Sequence, residues 1–340
     1  MNEHLINHTE KAIKALEKLN ILGENKSQTL FVLNKQKLVG TLTDGDVRRG
    51  LLRGHNLSSS VNLFMNIDFK FINQNQIDLD TISSIKKLKI KLLPILDDQN
   101  RIVELIDLSK KITKLPVSAV LMAGGLGSRL RPLTNNTPKP MLTVGDKPII
   151  EHNIDRLIEY GIDEIYISVN YLKEQIIDYF GDGTSKGVSI KYIIEDRPMG
   201  TIGALSMIKK VSNSTILLMN SDILTDANLE LMYRNFIKSR KKMMILSIPY
   251  TIDIPYAVIE TIDDKVLDFK EKPSITYHTN GGMYLLNSSS ISKIPKNSFY
   301  NATDLMQKFL NSDLVHYSHK GNWIDIGRPE DFKLSQELFN

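Results

Sequence analysis

The stretch V-L-M-A-G-G-L-G-S-R-L-R-P-L-T-N-N-T-P-K-P-M-L-T-V-G-D-K-P-I-I, residues 120–150, decides how the chain is read. It starts within an apolar run, 117–122, of the kind that forms a strand buried on both faces. Gly124, Gly125 and Gly127 follow at once. With no Cβ in the way, their backbone N–H groups can approach a ligand closely, and positive φ costs nothing. Arg129, Arg131 and Lys139 bring fixed positive charge to the same place. Such a loop suits a polyphosphate. A dinucleotide fingerprint would need a third glycine where Leu130 stands, and Pro132 and Pro138 oppose one long helix after the loop. The Gly-Lys-Ser/Thr of a Walker loop is absent. The plain alternative is a strand-to-helix turn with solvated cations.

The string as a whole resembles the signature of the sugar-1-phosphate nucleotidyltransferase family, G-G-x-G-x-R-L-x-P-L-T followed by P-K-P-M/L and K-P-I-I. The match runs almost unbroken from Ala123 to Ile150. The resemblance implies a nucleotide site formed by Leu121, Ala123, Gly124, Gly125, Gly127 and Ser128. It also implies that Arg129 contacts the triphosphate and that Lys139 lies near the reacting phosphate. Lys147 reads equally as a solvated turn residue.

The chain has 340 residues, room for two domains with a core each. Apolar content of 41% and charged content of 24% are those of an ordinary globular protein. A net charge of +4 is too mild to imply nucleic acid as a partner, and an anionic substrate explains it as well. With no cysteine there is neither a disulfide framework nor a thiolate metal site. The first 20 residues are polar, with Leu5, Ala12, Ile13, Leu16 and Leu19 at helical spacing, and lack the apolar core of a signal peptide. No run approaches the roughly 18 apolar residues of a membrane span. The expectation is a cytoplasmic protein with no membrane partner.

Residues 1–115 carry one pattern twice. L-F-V-L-N-K-Q-K-L-V-G-T-L-T-D from Leu30 and L-P-I-L-D-D-Q-N-R-I-V-E-L-I-D from Leu93 are both strand, turn, strand, each preceded by a helical segment, 10–22 and 79–88. Each half reads helix, strand, strand, helix, and two halves stacked bury a sheet face that one would expose. The arrangement resembles a pair of CBS modules, which implies a regulatory unit with an adenine nucleotide as partner and a tendency to homo-oligomers. Gly40, Thr43 and Asp46 fit the CBS pattern of a hydroxyl near phosphate and a carboxylate on ribose. Asp46 reads equally as the cap of a helix beginning at Val47. In the second half the pattern is lost to Glu104, Asp107 and Lys110. The charged, proline-ended segment 110–116 marks the boundary.

Residues 116–340 alternate strand and helix: helix 149–160 closed by Gly161, strand 164–169, helix 172–180, strand 188–194, helix 202–210, strand 215–219, helix 228–239, strand 243–248. Repeated β-α units of this length predict an α/β fold with a doubly wound, mostly parallel, Rossmann-like sheet, preceded by the smaller α+β unit. Ligands of such sheets sit beyond the carboxyl ends of the strands, where the glycine loop, Glu195 and Asp222 all fall. From Pro255 hairpins take over, at 256–261, 265–269 and 281–286.

Joining a nucleoside triphosphate to a sugar 1-phosphate needs no protein nucleophile, because the attacking phosphate oxygen is already ionised. What it needs is charge neutralisation and an in-line geometry. The chain has no cysteine, no serine–histidine–acid order, and no recognisable metal pattern among its seven histidines. Further matches to the family imply the remaining roles. Asp222, in L-L-M-N-S-D, and Asp325, in W-I-D-I-G, resemble the two carboxylates that hold Mg²⁺, although Ser221 stands where the family usually has glycine. Glu195, Gly200 and Thr201 resemble the base- and ribose-reading segment, Thr201 being equally a cap for the helix after it. Glu271 and Lys272 resemble the residues that bind sugar hydroxyl and sugar phosphate, and Asn280 and Gly281 those lining the sugar ring. Ala257 replaces a frequent glycine in the sugar pocket. The substrates expected are an NTP and a sugar 1-phosphate. The fusion of a CBS pair to this domain looks like enzymes that couple GTP with glucosamine 1-phosphate on the route to legionaminic acid, a bacterial surface sugar. Mannose 1-phosphate guanylylation and uridylyl or thymidylyl transfer to glucose 1-phosphate remain alternatives, as does a non-catalytic nucleotide sensor.

Overall fold

In the computed structural model of the chain, residues 2–23 and 26–338 are described. Two compact units result, Met1–Lys114 and Leu115–Asn340.

In the first unit the hairpins predicted at Leu30 and Leu93 both form. The first half comprises β1 (Leu5–Asn7), α1 (Ala12–Leu22), β2 (Leu30–Asn34), β3 (Lys37–Leu42) and α2 (Asp44–Leu52). The second comprises β4 (Ile72–Asn73), α3 (Leu79–Lys87), β5 (Leu92–Leu96) and β6 (Ile102–Asp107). Each half builds a three-stranded sheet in which a short strand lies parallel to the hairpin. Phe31 and Leu38 of one half and Leu92 and Leu96 of the other share one apolar cluster, so each half covers the other's sheet. The expected closing helix of the second half does not form. Asp107 instead accepts hydrogen bonds from Ser109, and the chain turns away.

In the second unit the strands are β7 (Val117–Met122), β8 (Thr143–Val144), β9 (Lys147–Pro148), β10 (Glu164–Val169), β11 (Ser189–Ile194), β12 (Thr215–Asn220), β13 (Ile223–Thr225), β14 (Met243–Asp253), β15 (Val258–Ile262), β16 (Lys265–Lys270), β17 (Ser274–Asn287), β18 (Leu314–Ser318) and β19 (Trp323–Asp325). The helices are α4 (Ile149–Glu159), α5 (Lys173–Phe180), α6 (Leu229–Ser239), α7 (Ala302–Phe309) and α8 (Pro329–Leu338). The main sheet has seven strands in the order β11-β10-β7-β12-β17-β14-β18. The first four run parallel; β17 enters antiparallel between β12 and β14. The sheet is therefore mostly parallel with one reversed strand near its middle.

Local chemistry sets the helix ends. The Asn228 side chain accepts from Leu231 N–H to cap α6, and Gly161 takes φ +71° just past α4. On one face of the sheet Val120, Ile216, Leu218, Tyr284 and Leu286 pack against Leu305 and Phe309 of α7. Each such side chain contributes roughly 1.5–3 kcal/mol on burial. The helix expected over 202–210 shrinks to a 3-10 turn, Gly203–Met207. Among the described residues no helix is long and apolar enough to cross a membrane.

Candidate active site

β7 is the strand around which the site is built. Leu121 sits next to its carboxyl end, fully buried, with backbone ladders to Ile167 on one side and Met219 on the other. Its side chain is thus part of the core of the sheet. Ala123 N–H donates to Ser168 O at 2.9 Å and ends the ladder. The loop then leaves the sheet. Gly125 is exposed with open space where a Cβ would stand, while a Cβ on Gly124 would lie 2.9 Å from Glu195 Oε1. Gly127 adopts φ +61° and accepts a hydrogen bond from Thr134 Oγ at 2.9 Å. Ser128 and Arg129 lie exposed in the following turn.

Glu195 is buried, and both its carboxylate oxygens are engaged, Oε1 by the Ser168 hydroxyl and Oε2 by Met199 N–H at 3.1 Å. It thus fixes the 195–199 loop and stands behind Gly124, within the protein. Asn170 holds the same segment through Glu195 O at 2.7 Å.

Lys139 is buried, and its ammonium pairs with Asp222 Oδ2 and lies 3.9 Å from Asp325 Oδ1. The two carboxylates, far apart in sequence, meet because β13 and β19 pair, Ile223 opposite Asp325, and Ile326 N–H donates to Asp222 O at 3.1 Å. The Arg129 guanidinium lies against Gly327, where an added Cβ would be 3.4 Å from it. Burial, then the neighbouring Asp222 charge, pushes the Asp325 carboxyl above its ordinary range, while Lys139 and Arg129 pull the other way. Arg129, Lys139, Asp222 and Asp325 therefore lie together in one cluster.

Asp222 Oδ1 and Asp325 Oδ1 are both buried with no hydrogen-bond partner. Buried carboxylate oxygens without partners are costly unless something positive meets them. Two hard oxygen donors beside a glycine-rich loop suit Mg²⁺, which keeps most of its shell for water and substrate. Among the described residues no cluster of three or more metal-ligating side chains occurs, so a two-carboxylate site is what the chain has to offer.

Beside these residues lies a cavity of about 280 Å³ lined by Thr201, Asn220, Asn280, Gly282, Tyr284, Trp323 and Asp325, among others. Asn280 is placed by its own bonds, donating to Tyr284 OH at 2.8 Å and accepting from Gly282 N–H at 3.0 Å. Gly281 lies beneath the wall: its carbonyl accepts from Trp323 Nε1 at 3.0 Å, and a Cβ there would meet Leu246 O at 2.9 Å. Thr201 does not cap a helix after it. Its hydroxyl accepts from Ala302 N–H at 2.7 Å, capping α7 a hundred residues on. Gly200, at φ +74°, lets this segment pass Tyr300, whose carbonyl would be 2.7 Å from a Cβ. Glu271 and Lys272 are exposed and do not line the cavity. Lys147 is held by Asp155 at 2.8 Å, a hydrogen bond that raises the lysine's pKa. Asn220, Tyr284 and Trp323 lie in segments that the sequence singles out but carry no role there; the polar Asn220 at the end of an apolar strand is the local signal for it.

A family model described as nucleotidyl transferase matches residues 118–338. The chain belongs to this family. D-glycero-alpha-D-manno-heptose 1-phosphate guanylyltransferase of Aneurinibacillus thermoaerophilus is 30% identical over 228 residues, 65% of this chain and 97% of the relative. UTP–glucose-1-phosphate uridylyltransferase of Synechocystis is 31% identical over 255 residues, 66% of this chain and 65% of that relative. Among solved structures, HddC from Yersinia pseudotuberculosis complexed with GMP-PN superimposes with a TM-score of 0.52 at 27% identity, covering 66% of this chain and all of that one.

In the first unit, Asp46 is committed. Its Oδ2 accepts from Thr43 N–H at 2.9 Å and Thr43 Oγ at 2.6 Å, and Oδ1 from Arg49 at 2.6 Å. Helix α2 starts at Asp44, earlier than Val47, with Thr43 and Asp46 forming a capping box. Thr43 also lines a cavity of about 500 Å³ with Thr41, Asp68, Lys70, Lys89 and Lys91; Asp46 does not.

Proposed function

We propose that the chain transfers a nucleoside monophosphate from an NTP to a sugar 1-phosphate and releases pyrophosphate. The observation that carries this is the clustering of Arg129, Lys139, Asp222 and Asp325 beyond the glycine loop. Backbone N–H groups of Gly124, Gly125 and Gly127, with Ser128, take the triphosphate, and Arg129 neutralises it. Lys139 is oriented by Asp222 toward the phosphorus under attack, where its charge meets the charge that develops. Asp222 and Asp325 hold Mg²⁺, which when bound offsets phosphate charge. The sugar ring sits in the cavity beside Asn280 and Gly282. A protein nucleophile has no part, since the acceptor phosphate supplies the attacking oxygen.

We take GTP and glucosamine 1-phosphate as the substrates, for an NDP-sugar of the legionaminic acid type. Guanylyl transfer is supported by guanylyltransferases among the relatives. Mannose 1-phosphate as acceptor, or uridylyl or thymidylyl transfer to glucose 1-phosphate, is the second reading, supported by the uridylyltransferase relative. The first unit is proposed as a CBS pair binding an adenine nucleotide in the Thr43-lined cavity, whose lysines suit phosphates. The test is pyrophosphate release with each NTP, a panel of sugar 1-phosphates and Mg²⁺. Release with one pair supports the reading; binding of NTP without release for every pair replaces it with a nucleotide sensor.

A further inference from the structure

The second unit holds another cavity, of about 920 Å³, at the end of β12 and β17 away from Asp222. Chain order puts it there. Residues 203–214 lead into β12 at Thr215, and β17 ends at Asn287, opposite Thr215. Ser288 N–H then donates to Ser214 O at 2.8 Å. Asn220 and Gly282, which line the cavity beside Asp325, stand at the other end of the same strand pair. The five rungs from Thr215–Asn287 to Met219–Met283 span about 13 Å at the usual rise per residue. The two cavities share no lining residue. The walls of the larger one are tied directly to each other: Ser206 Oγ accepts from Asn297 N–H at 3.3 Å, and Ile202 and Gly203 N–H donate to Tyr300 O at 3.0 and 3.1 Å. A pre-formed cleft in the range of roughly 300–1,000 Å³ has the size of a small-molecule site.

Its charge is of one sign. Lys209, Lys210 and Lys296 line it, and no carboxylate does. Lys293 belongs to the same wall, and Lys308 donates to the Lys293 carbonyl at 3.1 Å. Among the described residues none of these five lysines is in an ion pair. Lys293 and Lys308 lie instead over the rings of Phe309 and Tyr300. Neither 203–214 nor 287–300 contains an acidic residue. Asp304, at the start of α7, is already engaged by Asn301 N–H at 2.7 Å. Five cations in one place exceed the net charge of +4 of the whole chain. Positive charge gathered at a cleft and left without counter-charge draws anions to it.

The rest of the lining narrows the kind of anion. Ile208, Val211 and Ile291 pack on the core from its margin and stay partly open, beside the buried Ile294, so part of the lining is apolar. Three serines line the cavity with their protons already committed. Ser206 donates to Gly203 O at 2.7 Å, Ser289 to Asn287 Oδ1 at 2.8 Å and Ser292 to Ser289 O at 2.8 Å. To a ligand they offer only lone pairs, so the ligand must bring donors of its own. Inorganic polyphosphate has no apolar body, and a fatty acid has no donors; a nucleotide has both, with ribose hydroxyls and base N–H groups. We propose that this cavity is a second, non-catalytic site for a nucleoside polyphosphate, its ring on the apolar part of the lining and its phosphates against Lys209, Lys210 and Lys296. The site goes beyond the transferase reading and does not depend on it.

Photolabelling of the full-length protein with 8-azido-GTP and 8-azido-ATP, followed by peptic digestion and mass spectrometry, tests it. With at least one of the two, label should appear saturably on peptides from 203–214 or 288–297 and be competed by the unlabelled nucleotide. In a Lys209→Ser, Lys210→Ser, Lys296→Ser triple variant that label should fall about tenfold at sub-saturating nucleotide, three exposed contacts each contributing a factor of about two to three. The corresponding triple arginine variant should keep it, and label on glycine-loop peptides should be the same in all three proteins. Labelling confined to the glycine loop or the first unit overturns the proposal. So does label at 203–214 or 288–297 that the serine variant retains in full, or that inorganic tripolyphosphate displaces as well as the nucleotide does, since the ring would then have no part. Failure of the transferase reading shows separately, as absent pyrophosphate release, and leaves the labelling pattern to decide this site.

Discussion

Lys139 and Asp222 illustrate what one side chain contributes. The lysine is buried against a carboxylate, so its direction is fixed before any substrate arrives. Lys139→Met should lower kcat by about 10²–10³, the usual cost of one preorganised charge contact, with the far-ultraviolet spectrum unchanged. Unchanged turnover would show that the ammonium does not face the reacting phosphate. Gly124→Ala acts differently. Its Cβ would stand 2.9 Å from Glu195 Oε1, on a carboxylate that Ser168 and Met199 already hold. The expected result is a loss of about 1–3 kcal/mol in urea unfolding together with a raised KM for NTP. A variant as stable as the wild type would mean that Glu195 is free to move. These roles were only partly visible in the sequence. The glycines, Arg129 and Lys139 stand out in the sequence through the resemblance of their string to a family signature; the engagement of both Glu195 oxygens depends on Ser168 and Met199, which no local pattern connects to it.

Among elements, β10 shows how packing sets acid stability. Glu164, at its start, accepts bonds from Ser118 Oγ at 2.5 Å, Lys191 Nζ at 2.8 Å and Ser212 N–H at 3.0 Å. Burial by itself would push the carboxyl up, but these partners win and bring it down from 4.5 to about 2. A carboxylate with its pKa lowered on folding stabilises above the unfolded value and loses that contribution as pH falls through the folded one. Glu164→Gln should therefore lower Tm at pH 7, and the gap to wild type should close as pH falls from 4.5 to about 2. A gap that persists unchanged at pH 2 would show that the carboxylate's charge is not what matters. The elements themselves were legible where periodicity and caps are local, as at α4 with Gly161 and α6 with Asn228. They were not legible where the partner is distant. The helix expected at 202–210 gave way to a 3-10 turn because Thr201 and Gly203 are drawn to Tyr300 and Ala302, so the backbone bonds of that segment go to another element. The reversed β17 in mid-sheet likewise depends on pairing with β12, which no single stretch encodes.

At the scale of the molecule, two units with separate cores divide the work proposed for them. In the first, Asp46 is already used by Thr43 and Arg49, so a nucleotide there would rely on Thr43 and the cavity lysines. Lys89→Ala should then weaken adenine-nucleotide binding by calorimetry and leave transferase turnover without effector unchanged; equal affinity in the variant would remove that cavity from consideration. In the second unit, Asp222 and Asp325, about a hundred residues apart in the chain, are brought together by the β13–β19 pair. The convergence of cations and carboxylates there is the central claim. The most direct measurement is pyrophosphate release from GTP and glucosamine 1-phosphate, run alongside the other NTP and sugar 1-phosphate pairs, for wild type and for the Asp222→Asn and Asp325→Asn variants, with Mg²⁺ and after its chelation. The account predicts turnover by the wild type with Mg²⁺ and a fall of about 10²–10³ for either variant or on chelation; turnover that survives loss of both carboxylates, or a wild type inactive with every pair, would contradict it.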